Sequence, residues 1–385
     1  VTPAPRLRVA LDATSSLGVP TGVAKVTTGL LERLAGRDDL DVTAFAVTWR
    51  GRERLAGSLP PSVRPATRRF PARLARALWK RVEWPRVERW TGPVDVVHAN
   101  HLATPARAPV LLTVHDLTYI NYPELCNPGA LHYPRLVQLA VDRGAFIHTH
   151  SRFVAQEVRD FYGLPDERVV PISPGLDPPV GGDAARGRRV AGSDRYVLTV
   201  GTVEPRKNLP VLVEAFDRLA ATDPKLALVV AGPEGWGIDA YRAAVGRARH
   251  ADRIRRPGWL DDVSRDDVMA GAAVLAYPSV YEGFGLPPLE AMQLGVPVVA
   301  SNTGSLPEVL GDGALLIDPA EPEPLQEALA RALDDGGTRR SLIERGRARV
   351  AEYGWDRAVE QFVATYRRLA GRSAAGPRSA GSGSV

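Results

Sequence analysis

The residues best suited to chemistry cluster in Tyr277-Pro-Ser-Val-Tyr-Glu-Gly-Phe-Gly-Leu-Pro-Pro-Leu-Glu-Ala-Met. An apolar run ends at Tyr277, a glycine-containing loop follows, and a helix is expected to open near Pro287. Gly283 and Gly285 allow backbone to approach a ligand closely with its amide groups turned outward. A loop ending at a helix N-terminus is a seat for a diphosphate, because unpaired N–H groups and the helix dipole both favour an anion there. Glu282 and Glu290 bracket the loop. One is placed to reach a sugar, and the other, two turns into the helix, to accept hydrogen bonds from ribose hydroxyls. A strand–turn–helix corner with a capping glutamate would produce the same spacing.

A second cluster is Val200-Gly-Thr-Val-Glu-Pro-Arg-Lys-Asn-Leu, which leaves a strand and enters a helix near Leu209. Arg206 and Lys207 would project into a cleft, where cations offset the charge growing on a departing diphosphate. A basic turn in solvent is the alternative. Near the start, Leu11 to Lys25 runs from a strand through a loop into a helix, and Gly22 would let that helix point its N-terminus at the same diphosphate. In Leu112-Thr-Val-His-Asp-Leu, His115 ends an apolar strand, where side chains enter a cleft, and Asp116 could hold the imidazole tautomer or fix the loop. His148 and His150 alternate on another strand and read as structural.

These clusters need a frame that brings strand ends together. Candidate strands cover 8–12, 41–48, 95–100, 109–116, 145–151 and 169–173, then 196–201, 226–232, 274–279, 296–301 and 314–318. They alternate with longer helical segments, the pattern of parallel sheets covered by helices. Two doubly wound α/β domains follow, each binding ligands at the carboxyl ends of its strands. The expected layout is a first domain over 1–177, a linker over 178–194 rich in turn formers and charge, and a second domain over 195–352. A helix is expected over 353–370, with Tyr353, Trp355 and Tyr366, and 371–385 is a Gly/Ser/Ala-rich tail expected to be disordered. At 385 residues, 44% apolar and 24% charged, the chain has the length and composition for two such cores.

The second half resembles glycosyltransferase family 4, a family of retaining enzymes with the GT-B architecture. The resemblance rests on Glu282, seven residues, then Glu290, enclosing Gly-Phe-Gly. It extends through Gly295-Val-Pro-Val-Val-Ala-Ser-Asn, Leu306-Pro-Glu-Val and Gly311-Asp-Gly-Ala-Leu-Leu-Ile-Asp-Pro. It implies that the helix over 353–370 crosses back to the first domain and that Arg206 and Lys207 grip the diphosphate. Many members carry Arg directly after the strand's glycine; here that position is Thr202, so Arg206 takes the role. It places Gly258, in Pro257-Gly-Trp-Leu-Asp-Asp, and the loop Glu282, Gly283, Phe284, Gly285, Leu286 and Glu290 around the donor. Gly232, Pro233 and Trp236 could line the base pocket, although Trp236 and Trp259 suit structural roles equally. Thr21-Gly22 matches the family's Thr-Gly pair, and His115 is expected to hydrogen-bond the donor sugar near the reacting carbon.

The form Gly-Thr-Val-Glu-Pro-Arg-Lys-Asn resembles mannosyltransferases that use GDP-mannose, so a hexosyl transfer from GDP-mannose to a saccharide or lipid-linked acceptor is the implied activity. UDP- and dTDP-sugars are the alternatives. The family's usual reaction is same-face, with the leaving phosphate taking the acceptor's proton, which suits a sequence lacking a persuasive Ser–His–Asp or Cys–His arrangement. A sugar-nucleotide epimerase, or a binding protein without turnover, would share the architecture. No cofactor and no metal site are expected: Asp39-Leu-Asp41 precedes its strand, and Asp261-Asp262 with Asp266-Asp267 fit a loop and a helix start.

The net charge of +5, the single Cys126 and the lack of an apolar N-terminal run fit a cytoplasmic enzyme without disulfide or signal peptide. Residues 64–90 carry Arg with Trp79, Trp84 and Trp90, and Phe70, Leu74, Leu78 and Val82 recur every four residues. That spacing reads as an amphipathic helix, packed on the first domain or lying on an anionic membrane as a peripheral contact. No nucleic-acid-binding motif accompanies the basic residues.

Overall fold

The computed structural model describes residues 6–17, 22–49, 52–66, 68, 70–100 and 104–374. Thr21 and the segment 375–385 of the expected tail lie outside these residues. The short apolar runs form strands, and the strands form two sheets. The first contains β1 (Leu7–Asp12), β2 (Leu40–Phe45), β3 (Arg64–Ala66), β4 (Val96–Ala99), β5 (Val110–Thr113), β6 (Phe146–Thr149) and β7 (Val169–Pro171). Its order is β3-β2-β1-β4-β5-β6-β7. The second contains β8 (Tyr196–Val200), β9 (Ala227–Ala231), β10 (Ile254–Gly258), β11 (Val274–Tyr277), β12 (Val298–Ser301) and β13 (Ala314–Ile317), in the order β10-β9-β8-β11-β12-β13.

Every ladder is parallel, with Val9 opposite both Val42 and Val96, and Leu275 opposite both Leu198 and Val298. Parallel strands are covered on both faces, which is why β8, β9 and β11 read as unbroken apolar runs. The order reverses beside the first strand of each sheet, between β1 and β4 and between β8 and β11. Those are the switch points, where flanking connections diverge and open a crevice at the carboxyl ends.

Two strands escape the sequence reading, and both are outermost. β3 carries Arg64-Pro65-Ala66, and β10 carries Ile254-Arg-Arg-Pro257-Gly258. Arginine and proline are unfavourable in a buried central strand but blunt an open edge against further pairing. They hide the apolar signal for the same reason.

The expected linker also departs from its reading. Residues Ala184–Ala191 form a helix capped by Asp183, whose carboxylate accepts from the Ala185 and Arg186 amides at 3.0 Å each. The helix packs on Asp262–Gly271, so closely that a β-carbon on Gly187 would meet the Asp267 carbonyl. Only 178–183 remains extended, and Asp266 and Asp267 clamp it. Asp266 accepts from Val180 N at 2.9 Å, and Asp267 accepts from Gly182 N and Asp183 N at 2.8 Å each. The Arg186 side chain, helped by those amides, holds the Asp267 carboxyl down at about 2.

The helix Trp355–Ala374 lies in the core of the first domain and runs past the expected end at 370. Trp355, Val359, Phe362, Tyr366 and Leu369 repeat at helical spacing and pack with Leu11, Leu30, Leu34 and Val42. Trp355 enters where Gly29 and Gly175 carry no side chain, and its indole N–H donates to Asp177 at 2.9 Å.

Residues 64–90 do not form one amphipathic helix. They contain β3, an eight-residue helix Ala72–Trp79 and a single turn Glu88–Thr91. Trp79 and Trp90 are buried and donate to the carbonyls of Pro85 and Arg68. Among the described residues of this stretch, Leu74, Val82 and Trp84 are the large apolar side chains left exposed. Among the described residues no helix is long and apolar enough to cross a membrane.

Candidate active site

At the switch point of the second sheet, β8 delivers Arg206 and Lys207, and β11 delivers Glu282. Arg206 Nη1 lies 2.6 Å from Glu282 Oε2, and Lys207 Nζ lies 2.7 Å from Glu282 Oε1. Each carboxylate oxygen therefore faces its own cation. Arg206 also pairs through Nη2 with Glu204 at 2.6 Å and donates to the Tyr281 carbonyl at 2.8 Å. Lys207 donates to the Tyr277 hydroxyl at 2.5 Å. Glu282 is buried, and burial alone would raise its pKa; Arg206 and Lys207 outweigh that and hold it down at about 2.

The loop after Glu282 is fixed from two sides. Ser305 donates its hydroxyl to the carbonyls of Glu282 and Phe284, at 2.9 and 3.2 Å. From the first domain, Ser151 donates to the Gly283 carbonyl at 2.9 Å. Besides the close ligand approach expected of it, Gly283 has a second reason to lack a side chain. A β-carbon there would stand 2.1 Å from the His115 carbonyl and 2.8 Å from Asp116 Cβ, so the opposing domain's backbone uses that space. Gly285, at φ 101°, turns the chain into the helix Leu286–Gln293, a backbone that other residues rarely adopt. The Phe284 ring packs against His150 and Tyr353, with centroids at 6.4 and 5.6 Å, so this side chain belongs to the domain contact.

Two helix starts converge over the loop. Gly22 opens Gly22–Ala35, and its β-carbon position lies 3.6 Å from Leu286 at the start of the facing helix. Lys25, one turn in, forms an ion pair with Glu290, which also sits 3.8 Å from Arg265. Sequence reasoning gave Lys25 no role, although its place in the first turn after Gly22 was the available signal. Gly258 ends β10 at φ 82°, its carbonyl accepts from Gly232 N at 2.8 Å, and the space where a β-carbon would stand is open.

Opposite these residues, β5 leads to His115 and β6 to His150. His115 Nδ1 lies 2.9 Å from His150 Nε2. Asp116 is not the imidazole's partner: it accepts from the amide and hydroxyl of Thr118, at 3.0 and 2.8 Å, and so fixes the loop. The reading of His148 and His150 as purely structural separates here. His148 is structural, and His150 touches the candidate catalytic histidine.

Beneath this pair runs a directed chain of buried hydrogen bonds. Burial keeps His98 and His148 neutral, His148 at about 4. The Ile172 carbonyl can only accept, so His148 Nε2 carries the hydrogen in their 3.0 Å bond. His148 Nδ1 then accepts from the Thr113 hydroxyl at 2.9 Å. Thr113 accepts from His98 Nε2 at 2.8 Å, and His98 Nδ1 accepts from the Tyr366 hydroxyl at 2.7 Å. The Ile172 carbonyl thus sets the tautomers under β5 and β6, and the returning helix ends the chain at the Tyr366 hydroxyl.

Between His115 and the second domain lies a cavity of about 240 Å³, walled by Tyr119, Leu125, Tyr133, Arg206 and Trp236 among others. Trp236 donates its indole N–H to the Leu125 carbonyl at 2.8 Å, so it bridges the domains here. Trp259 is half exposed beside Gly258. Tyr281 adds another bridge, accepting from Leu117 N at 3.3 Å and donating to Glu157. Asp39 pairs with Arg37 and Arg367. Among the described residues no group of three or more His, Cys, Asp or Glu is arranged to hold a metal ion.

The comparisons with known proteins agree with this geometry. The family model for glycosyl transferases group 1 matches residues 184–349, and that for Glycosyltransferase Family 4 matches residues 20–179. O-antigen chain mannosyltransferase B of Escherichia coli is 32% identical, over 71% of this chain and 74% of that protein. A D-inositol 3-phosphate glycosyltransferase of Salinispora arenicola is 32% identical, over 76% of this chain and 72% of its own length. Sucrose-phosphate synthase from Thermosynechococcus elongatus shares the fold with a TM-score of 0.72 at 20% identity, over 95% of this chain and 100% of that one. Two facing doubly wound domains, matched family models over both halves and a relative of this closeness lead to one conclusion: the chain belongs to glycosyltransferase family 4 and is a glycosyltransferase of the GT-B fold.

Proposed function

We propose that the chain transfers a hexosyl group from a nucleotide-sugar donor to a saccharide or lipid-linked acceptor with retention of configuration, and that the donor is GDP-mannose. The observation that carries the donor site is the convergence of Arg206 and Lys207 on Glu282 at the β8/β11 switch point. The donor diphosphate lies against these two cations and the amides that open Leu286–Gln293. Glu290 holds the ribose hydroxyls once Lys25 yields, and Gly258 borders the base. His115 hydrogen-bonds the sugar. Two fixed cations stabilise the charge that grows on the leaving diphosphate, with no divalent ion assigned a part.

Glu282 is held as an anion between two cations, which suits binding sugar hydroxyls better than donating a proton or attacking carbon. The acceptor's hydroxyl enters from the cavity beside His115, on the face the diphosphate leaves, and its proton passes to the departing phosphate oxygen. Support for mannose comes from the Gly201-to-Asn208 segment and from the mannosyltransferase among the relatives. For a lipid-linked acceptor, the exposed Leu74, Val82 and Trp84 stand as candidates to face the membrane.

Calorimetric titration with GDP, UDP, ADP and dTDP, without added metal, tests the reading. Selective binding of GDP that is lost in Glu290→Ala and in Lys207→Ala is the expected result. Selective binding of another nucleotide would discard mannose, and binding of none would overturn the donor site.

A further inference from the structure

We infer that the cavity beside His115 selects an uncharged sugar ring as the reacting end of the acceptor. The ring's C–H groups lie against Tyr119 and Tyr133, Asp116 accepts from one of its hydroxyls, and a ring carrying phosphate or carboxylate is excluded. This rests on the reading that the acceptor enters through that cavity.

The walls of the cavity come from both domains. Residues of β5 and of the helix Tyr133–Asp142 face it from the first, and Glu204, Arg206 and Trp236 from the second. At about 240 Å³ it is smaller than the ~300–1,000 Å³ of sites that enclose a drug-sized ligand, so it takes one ring and leaves the rest of a longer acceptor outside. Leu136 and Val137 are buried and give it an apolar side. The Tyr119 and Tyr133 rings add aromatic surface, their centroids 5.8 Å apart. Such surface matches the C–H groups of a sugar ring. A charge set against it would lose hydration without gaining a partner.

The polar side of the cavity is acidic. Asp116 and Glu204 are the carboxylates in its described wall, and Arg206 is the one permanent cation there. That cation is already matched, because Nη1 faces Glu282 and Nη2 faces Glu204, each at 2.6 Å. An acceptor phosphate would therefore meet Asp116 and, on the proposed donor placement, the donor's own diphosphate. Like charges brought together in this way oppose binding. A hydroxyl meets the same carboxylate favourably. Both hydrogen bonds from Thr118 fall on Asp116 Oδ1, at 3.0 and 2.8 Å, which leaves Oδ2 to accept from the ring. Hydrogen bonds to an ionised acceptor are the stronger kind, so one side chain both holds a neutral ring and turns an anionic one away.

Saturation-transfer difference NMR on the purified chain with GDP present, using competing ligands, tests this. The probes are the methyl α-glycosides of mannose, glucose and galactose, each with its 6-phosphate and its 6-O-methyl ether. At least one neutral glycoside should bind, with the strongest saturation on its ring C–H protons. Its 6-O-methyl ether should compete nearly as well, and its 6-phosphate should need about tenfold or more higher concentration. Equal competition by the phosphate would overturn the inference, and so would loss of both derivatives, which would mean that size and not charge excludes them. Asp116→Asn keeps the oxygen that Thr118 bonds and removes the charge, so the gap between neutral and phosphorylated rings should narrow at least about fivefold. An unchanged gap would overturn the role of Asp116. Tyr133→Leu should weaken every neutral glycoside about tenfold, and unchanged binding would overturn the aromatic seat. Should that variant fail to fold, the saturation pattern of the wild type and the Asn variant still decide. Binding of none of the glycosides would overturn the inference. Failure of GDP alone to bind would strike the donor reading instead, and the same titrations without nucleotide would still judge the cavity.

Discussion

Replacing Glu282 by Gln separates the two tasks of the charged cluster. In the wild type, the Glu282 carboxylate lies 2.6 and 2.7 Å from Arg206 and Lys207, and with Glu204 it balances their two charges. Its pKa falls from an ordinary 4.5 to about 2 on folding. At about 1.4 kcal/mol per unit, that shift corresponds to about 3 kcal/mol of stability at neutral pH. The stability is present above the unfolded carboxyl's pKa and is lost as pH falls from 4.5 toward 2. Glu282→Gln removes it at every pH and leaves two buried cations with only Glu204 beside them. A loss of about 3 kcal/mol corresponds to about 6–12 °C in melting temperature for a domain of this size.

A nucleoside diphosphate supplies the missing negative charge. Removing one charge about 6 Å from the incoming phosphates changes their interaction by about 2–3 kcal/mol at an effective dielectric of 20, before relaxation. We expect the nucleotide to bind Glu282→Gln about tenfold more tightly and to raise its melting temperature more than that of the wild type, while turnover falls at least about 100-fold. Thermal melts with and without nucleotide, plus calorimetry, read both effects. A variant that melts within about 1 °C of the wild type, with equal stabilisation by nucleotide, would refute the assignment of Glu282 as counter-charge.

Two further substitutions probe the contacts around the cleft. Gly283→Ala places a methyl 2.1 Å from the His115 carbonyl, between backbone on one side and Asp116 on the other. Displacing the domains by about 1 Å should lower kcat/KM about 100-fold with nucleotide binding retained, and near-normal turnover would show that the contact is not required. Tyr366→Phe removes the hydroxyl that donates to buried His98 at 2.7 Å. A loss of about 1–3 kcal/mol in denaturant unfolding is expected, and no loss would break the proposed hydrogen-bond direction.

Much of this arrangement is legible in the sequence because parallel sheets write themselves as apolar runs and switch-point loops as glycine beside charge. β8 and β11 announce where Arg206, Lys207 and Glu282 stand, and the 3.6-residue stripe from Trp355 to Leu369 announces the returning helix. Pairings across long sequence gaps are not written. Lys25 reaches Glu290 and His150 reaches His115 only because two sheets and two domains fold first. Nor does residue type reveal which neighbour a glycine accommodates: Gly283 admits backbone from the other domain. Spacing misled at 64–90, where the residues of a single expected amphipathic helix form an edge strand, an eight-residue helix and two buried indoles.

The loop 282–285 is where these contacts become one system. Glu282 carries the cations, Gly283 receives Ser151 and the His115 backbone, and Phe284 faces His150, all within three consecutive residues. Consecutive residues cannot move independently when each is held by a different part of the structure. A shift of Glu282 with its cations therefore displaces Gly283 against His115, and a shift of His115 presses back on the loop. Couplings of this kind make neighbouring substitutions non-additive. On the proposed reading they also make the placement of the diphosphate and of His115 a single geometric event. In the proposed same-face reaction, where the diphosphate leaves from the side the acceptor approaches, that shared loop keeps the two groups in register.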